Sequence, residues 1–471
     1  MLENRSFDHM LGFLKLDGPV QVDGLTGSEW NYPAGPNAEG PNVTVSKDAG
    51  DVHDLSPDPN HEFAHVTNQL SSTGDPVGNP DMKGFVRDYY TARNDPDHAA
   101  GIMKCFTPDT LPILNTLAKN YGVCDRWFSS VPGSTIPNRL FVHGASSGGS
   151  LTQDVLLAPL TLQTIFKSFD ATTPYDFAIY TSGSSVLMAN SFFIKNQGKF
   201  RDYSNFVFAA THGNLPAYTF IEPAYDDGDG VFASSQHPDF PVDRGEALIR
   251  EIYYALTKSP DWPSTLFLIL YDEHGGIYDH VPPPVLIRTA PGPDVPPAKA
   301  PDNFDFTRLG VRVPAVFVSP CIEPGTVIRD PHNRPFDHSS VVATVRTLFC
   351  NGSAPLTWRE AQAPTFDQIL TRDIADYRRD IVNLPEPVIA ADVDINAAAA
   401  EEPRSPTDLS VLMAGVMHNS LVERGLAPPG KNQQLITAAQ VQAYLQINSA
   451  AQVTAYLKQA QATSTAAAGG A

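Results

Sequence analysis

The chain has 471 residues, 42% of them hydrophobic and 18% charged, enough to bury a large α/β core, which excludes wholesale disorder. Its formal net charge of −20 argues against nucleic-acid or anionic-membrane partners, because such a surface repels polyanions over a Debye length of about 8 Å. No apolar run reaches the length of a transmembrane helix, and the longest, such as residues 265–271, are strand-sized.

Residues 1–14 read as turn chemistry leading into a short helix, with no signal peptide. Residues 17–97 are rich in Gly, Pro, Asn and Asp, which predicts a loop-dominated excursion with one helical piece at 62–70. With 42 Pro and 33 Gly in the chain, long structured connections of this kind are expected to build the rim of a site. Leu111, Leu114 and Leu117 have helical spacing and predict an amphipathic helix over 109–120. A buried strand over 121–129 then runs into the turn Val131–Pro132–Gly133. Pro137 lies near the start of the next helix, 136–144, just after Ser134 and Thr135.

Short strands follow at 177–180 and 217–221, then an amphipathic helix at 243–256. The run TLFLILY at 265–271 is almost wholly apolar and predicts a strand buried on both faces of a parallel sheet. VPAVFVS at 313–319 is read as another, and 339–349 as a helix. Buried strands alternating with helices give a parallel α/β sheet, whose ligands bind at the carboxyl ends of the strands. Past residue 385 the composition shifts to an Ala run, a Pro-containing spacer and a helical segment at 438–460. The expected division is a catalytic unit at 1–385 and a linker with a helical extension at 386–471. Cys105, Cys124, Cys321 and Cys350 lack CxxC spacing, so buried thiols rather than a zinc site are expected.

Three polar segments carry the chemistry. Asp272–Glu273–His274–Gly275–Gly276 directly follows the apolar strand. Adjacent carboxylates there are costly to bury unpaired, and a cation would relieve them; the plainer reading is a solvated acidic turn. Glu3–Asn4 offers carboxylate and amide oxygens suited to a divalent ion. Ser134 and Thr135 place a hydroxyl at a helix N-terminus, where free N–H groups and the helix dipole favour a phosphoryl group. A simple N-cap is the commoner use of such residues. His61, His237, His274, His280 and His338 complete the inventory of groups able to donate protons to phosphoryl oxygens.

Taken in order, ENRSFDHMLGFL from Glu3, VPGSTIPNRLFVH around Thr135, LYDEHGGIYDHVPPP around Asp272, RVPAVFVSP from Arg312 and FDHSSVVATVRTLF from Phe336 resemble the phosphoesterase family. That family contains bacterial phospholipases C, plant non-specific phospholipases C and certain bacterial acid phosphatases. The likeness runs from Glu3 to about Phe349. The resemblance implies an alkaline-phosphatase-like α/β fold: a mostly parallel sheet sandwiched by helices, long loop insertions and a small helical C-terminal extension. It implies that Glu3, Asn4, Asp272 and Glu273 hold one divalent metal ion, with Ca, Mg, Mn, Zn and Fe all open. It implies that Thr135 is the nucleophile, preferred over Ser134, and that His61 and His237 contact the phosphoryl group. His274, His280 and His338 match family motifs without an assigned role.

In that family an apolar strand precedes the ENRSFDH motif, whereas this sequence opens at Met1–Leu2. Glu3 and Asn4 are therefore expected to fray. The leading expectation is phospholipase C cleavage of a phospholipid through a phosphothreonine intermediate, with transient membrane contact of hydrophobic or zwitterionic character. An acid phosphatase or broad phosphodiesterase on the same core is the runner-up. A Ser–His–Asp carboxyl-ester hydrolase is the alternative of a different class, and the chain is read as lacking its GxSxG elbow. A non-catalytic binding protein is the most distant reading. Oligomeric state and compartment stay open.

Overall fold

The computed structural model describes residues 1–35, 40–49, 55–153, 161–183, 185–226, 232–238, 240–289, 304–350, 352–388 and 408–423, with scattered positions between 427 and 463. Seven strands form the α/β core: β1 (Gly122–Cys124), β2 (Phe177–Thr181), β3 (Phe200–Asp202), β4 (Tyr218–Glu222), β5 (Phe267–Leu270), β6 (Ala315–Val318) and β7 (Thr326–Val327). One group is parallel throughout, in the order β3-β2-β4, with Ile179 opposite Phe200 and Phe177 opposite Tyr218. The other has the order β5-β6-β1-β7. Here β6 runs antiparallel to both neighbours, and β1 and β7 are parallel. The strand read at 313–319 thus exists, but its direction departs from the parallel expectation. An apolar strand buried on both faces has the same composition in either direction.

Residues 1–3 join the two groups. The Met1 nitrogen donates to the Ile221 carbonyl at 3.0 Å. The Leu2 N–H donates to Leu270 at 2.8 Å, and the Asp272 N–H returns to the Leu2 carbonyl at 3.2 Å. The expected fraying does not occur: Glu3 and Asn4 are both fully buried. Backbone pairing to two strands at once holds them. Between β4 and β5, beyond Leu2, lies an apolar cavity of about 550 Å³. Phe267 and Leu268 line it and are only half-buried, which is where the expectation of a fully buried 265–271 strand gives way.

The helices that matter for the site are α1 (Phe7–Leu11), α2 (Phe63–Leu70), α3 (Phe85–Arg93), α4 (Pro112–Asn120), α5 (Thr135–Gly144), α6 (Val242–Thr257), α7 (Ser339–Phe349) and α8 (Asp408–Glu423). On α6, Val242, Ile249, Ile252, Tyr253 and Leu256 are buried, a stripe at helical spacing. Helices α4 and α6 pack together, as do α5 and α7. The sequence gave no reason to expect α3 or α8. Helix α8 buries Val411, Ala414, Met417 and Leu421 in the main core. The helical segment read at 438–460 lies largely outside the described residues. All four cysteines are free and buried, and no described helix is long and apolar enough to cross a membrane.

Candidate active site

Strand β5 delivers Asp272 and Glu273 into a turn that needs glycine. Gly275 and Gly276 have φ of +63° and +68°, a region L side chains avoid. A Cβ on Gly275 would sit 2.2 Å from the Asn4 carbonyl, and one on Gly276 would sit 2.4 Å from the Asn60 carbonyl. The two glycines therefore let the carboxylate loop press against both the Asn4 segment and the loop that carries His61. Asn4 itself is left-handed at φ 55°, a conformation Asn tolerates better than most residues. Its N–H donates to Asp272 Oδ1 at 3.0 Å.

Helix α5 brings the hydroxyl to the same point. Thr135 is its first residue, and the Thr135 Oγ1 hydroxyl donates to Asn4 Oδ1 at 3.1 Å. Ser134 stands at the N-cap position but makes no capping hydrogen bond. The simple N-cap reading is therefore not realised by Ser134.

Glu3, Asn4, Asp272, Glu273 and Thr135 thus come together from three distant segments, all deeply buried. Both Glu3 carboxylate oxygens and Glu273 Oε1 lack a hydrogen-bond partner among the described residues. Burial pushes Glu3 well above the usual carboxylate range, and it lifts Asp272 to about 6, in both cases against the pull of Arg139. Unsatisfied buried carboxylate oxygens cost several kcal/mol each by rough estimate. A divalent cation fits this donor set: the two Glu3 oxygens, the free Oε1 of Glu273, the Asp272 carboxylate beside them and an amide oxygen.

His61 and His237 flank Asp58. His61 Nδ1 lies 3.7 Å and His237 Nε2 lies 3.5 Å from Asp58 Oδ2. His61 Nδ1 is also 3.9 Å from Glu273 Oε1, which ties this pair to the carboxylate loop. Burial opposes the His61 charge, but Glu273 and Asp58 outweigh it and push the ring up to about 9. Burial, with the His61 charge, holds His237 well below the ordinary histidine range.

Sequence reasoning missed Arg139, one turn after Thr135 on α5. It is buried and donates from Nε to Asp272 Oδ2 at 2.9 Å. Its Nη1 donates to Glu222 Oε2 at 3.0 Å and to the Tyr225 hydroxyl at 2.7 Å. Its Nη2 lies 3.7 Å from Glu3 Oε1. The PNR tripeptide within the Thr135 motif was the available signal, but its carboxylate partners are 83 and 133 residues away.

The remaining motif histidines support the site. Trp127 Nε1 donates to His338 Nδ1 at 3.3 Å, so His338 Nε2 carries the proton and donates to the Asp272 carbonyl at 2.6 Å. Burial pushes His338 down to about 4, which keeps this ring neutral. His274 Nε2 pairs with Gln69 Oε1 at 2.8 Å. Asp8, Asp279 and His280 bring ligand atoms within 4.8 Å of one another, a spacing that also suits a metal ion. Arg312 already bridges that group, donating to Asp8 and Asp279 at 2.9 Å each. Contrary to the sequence reading, Gly144–Ala145–Ser146–Ser147–Gly148 does fit GxSxG spacing. It follows the C-terminal end of α5 rather than linking a strand to a helix, so it is not a nucleophile elbow.

Similarity to known proteins identifies the family. Non-specific phospholipase C3 of Arabidopsis thaliana is 37% identical over 434 residues, 88% of this chain and 80% of that protein. Non-specific phospholipase C1 of the same plant is 41% identical over 78% of this chain and 69% of that protein. A solved alkaline phosphatase superfamily protein from Vibrio parahaemolyticus overlays at TM-score 0.32 and 13% identity, covering 55% of this chain and 65% of that one. The Phosphoesterase family model matches residues 1–350, and with relatives of this identity and coverage the conclusion is direct: the chain belongs to the Phosphoesterase family.

Proposed function

We propose that this phosphoesterase is a metal-dependent phospholipase C-type hydrolase that works through Thr135. The observation that carries the reading is the hydrogen bond from Thr135 Oγ1 to Asn4 Oδ1, beside buried Glu3 and Glu273 oxygens that lack partners. Glu3, Asn4, Asp272 and Glu273 would hold one divalent ion. When bound, that ion would polarise a phosphoryl oxygen and lower the pKa of a nearby hydroxyl.

The chain's own groups account for the rest. Asn4 orients the Thr135 hydroxyl. The N-terminus of α5, which Ser134 leaves without a side-chain cap, turns the positive end of the helix dipole toward this point. Thr135 Oγ gives up its proton to solvent and attacks phosphorus in line, and the bond from phosphorus to the diacylglycerol oxygen breaks as that oxygen takes up a proton. His61 and His237 would face the phosphoryl oxygens, one of them passing a proton to the departing diacylglycerol oxygen. Water then attacks the phosphothreonine from the opposite side, which releases the phosphorylated head group and restores Thr135. Positioning and electrostatics supply most of the acceleration in such transfers. We place this catalytic unit within residues 1–385.

The test is hydrolysis of phosphatidylcholine, p-nitrophenylphosphorylcholine and p-nitrophenyl phosphate by wild type and Thr135→Ala, before and after chelation and metal add-back. Wild-type activity should fall with chelation and return with metal, and Thr135→Ala should lose at least about 10³-fold. A Thr135→Ala enzyme with wild-type turnover would remove Thr135 as nucleophile. Preference for the monoester would point to phosphatase chemistry on the same core.

A further inference from the structure

Among the described residues Arg139 is the arginine that reaches two of the carboxylates assigned to the metal, and it treats them unequally. It makes a full hydrogen bond to Asp272 at 2.9 Å but stops 3.7 Å short of Glu3, outside hydrogen-bond range. What occupies the other edge of the guanidinium is Glu222, with the Tyr225 hydroxyl beside it.

Glu222 is well anchored for that task. It is the last residue of β4, paired with Thr181 of β2. Its Oε1 accepts from Ser185 Oγ at 2.9 Å, and its Oε2 accepts from both Tyr225 and Arg139. Glu222 belongs to none of the segments that resemble the family's motifs. An ordinary ion pair at this position would need only Arg139 and one carboxylate. Here a second carboxylate, supplied from a different strand and braced by two hydroxyls, holds Nη1, while Nη2, the nitrogen that faces Glu3, donates to the Leu2 carbonyl at 3.4 Å.

We propose that Glu222 is a positioning residue for the metal site, holding Arg139 back from Glu3 so that the Glu3 carboxylate stays available to a divalent cation. Without Glu222 the guanidinium loses its anchor at Nη1 and can turn toward Glu3, whose Oε1 already lies 3.7 Å from Nη2. A guanidinium closed on both Asp272 and Glu3 would neutralise them in place of the ion. The inference rests on the reading of Glu3, Asn4, Asp272 and Glu273 as ligands.

The test uses full-length protein stripped with chelator and titrated calorimetrically with Mg²⁺, Ca²⁺, Mn²⁺ and Zn²⁺ in turn. The ion that binds wild type at one site is then used for Glu222→Gln, Ser185→Ala and Asp272→Asn. Glu222→Gln should bind that ion about 10- to 100-fold more weakly, the usual range for outer contacts of a metal site. Ser185→Ala, which only loosens Glu222, should move the same way by less, and it carries the test if Glu222→Gln does not fold. Turnover of both variants at saturating metal should recover to within a few-fold of wild type. Unchanged affinity in Glu222→Gln, or lost turnover that saturating metal does not restore, would overturn the proposal. If Asp272→Asn also keeps wild-type affinity, the ligand assignment itself fails, which separates the two readings.

Discussion

Arg312 is fully buried and donates to carboxylates from two motifs, Asp8 at the start of α1 and Asp279 after the glycine turn. Its Nη1 also takes the backbone carbonyls of Asp23 and Asp125. Two buried carboxylates would be expensive alone, and a planar guanidinium satisfies both with directed bonds. His280 completes the group through Asp8 Oδ2 at 2.6 Å. Burial opposes its charge, but the hydrogen bond and charge of Asp8, with Asp279, lift the ring from 6.5 to about 9. The folded value lies above the unfolded one. The stabilisation is therefore complete below about pH 6.5 and disappears as pH rises through 9. His280→Gln should cost about 1–3 kcal/mol at pH 6, allowing for partial exposure, and little at pH 10. Unfolding measured at both pH values checks this; an equal cost at each would mean that the ring is not charged in the fold.

Helix α4 shows how an element can depend on a residue far from it. Pro112 sets its first turn, but Leu111 at the N-cap offers no acceptor. Glu246 on α6 supplies one instead: its two oxygens accept from the N–H groups of Ile113 at 2.6 Å and Leu114 at 2.8 Å. Glu246→Ala would strand two buried donors and should cost about 2–4 kcal/mol in denaturant unfolding. Glu246→Gln, with one acceptor oxygen, should fall between. A loss under about 0.5 kcal/mol for the alanine variant would show that water satisfies those donors. This cap also marks what was readable. The apolar spacing of Leu111, Leu114 and Leu117 is enough to find α4, and the amphipathic run at 243–256 is legible the same way, because burial on one face leaves a local period. The partner of each polar group leaves none. Arg139 to Glu222, Glu246 to α4 and Arg312 to Asp8 are long-range pairings with no spacing rule. The direction of β6 was hidden for a similar reason, since a doubly buried strand carries no mark of its orientation. Helix α8 was missed because its sequence, DLSVLMAGVMHNSLVE, is apolar on most sides and shows little contrast between faces.

At the scale of the whole molecule, the site is a junction rather than a pocket on one element. Residues 3–4 lie between the two strand groups, 58–61 come from the loop before α2, Thr135 opens α5, and 272–273 end β5. Of these, Glu3 and Glu273 contribute carboxylate oxygens that have no hydrogen-bond partner among the described residues. A bound cation would therefore tie together segments separated by up to 268 residues. An ion that binds only the folded state stabilises by about 2.7 kcal/mol at a concentration 100 times its Kd. For a chain this long, that corresponds to a rise of a few degrees in the melting temperature. Chelation should lower the wild-type midpoint by that amount, and adding the ion back should restore it. Asp272→Asn should lose the response, and limited proteolysis after chelation should open the 1–14 segment first, since it is held at the junction. Activity that depends on a divalent ion, with a midpoint indifferent to it, would place the ion with the substrate rather than at Glu3, Asn4, Asp272 and Glu273.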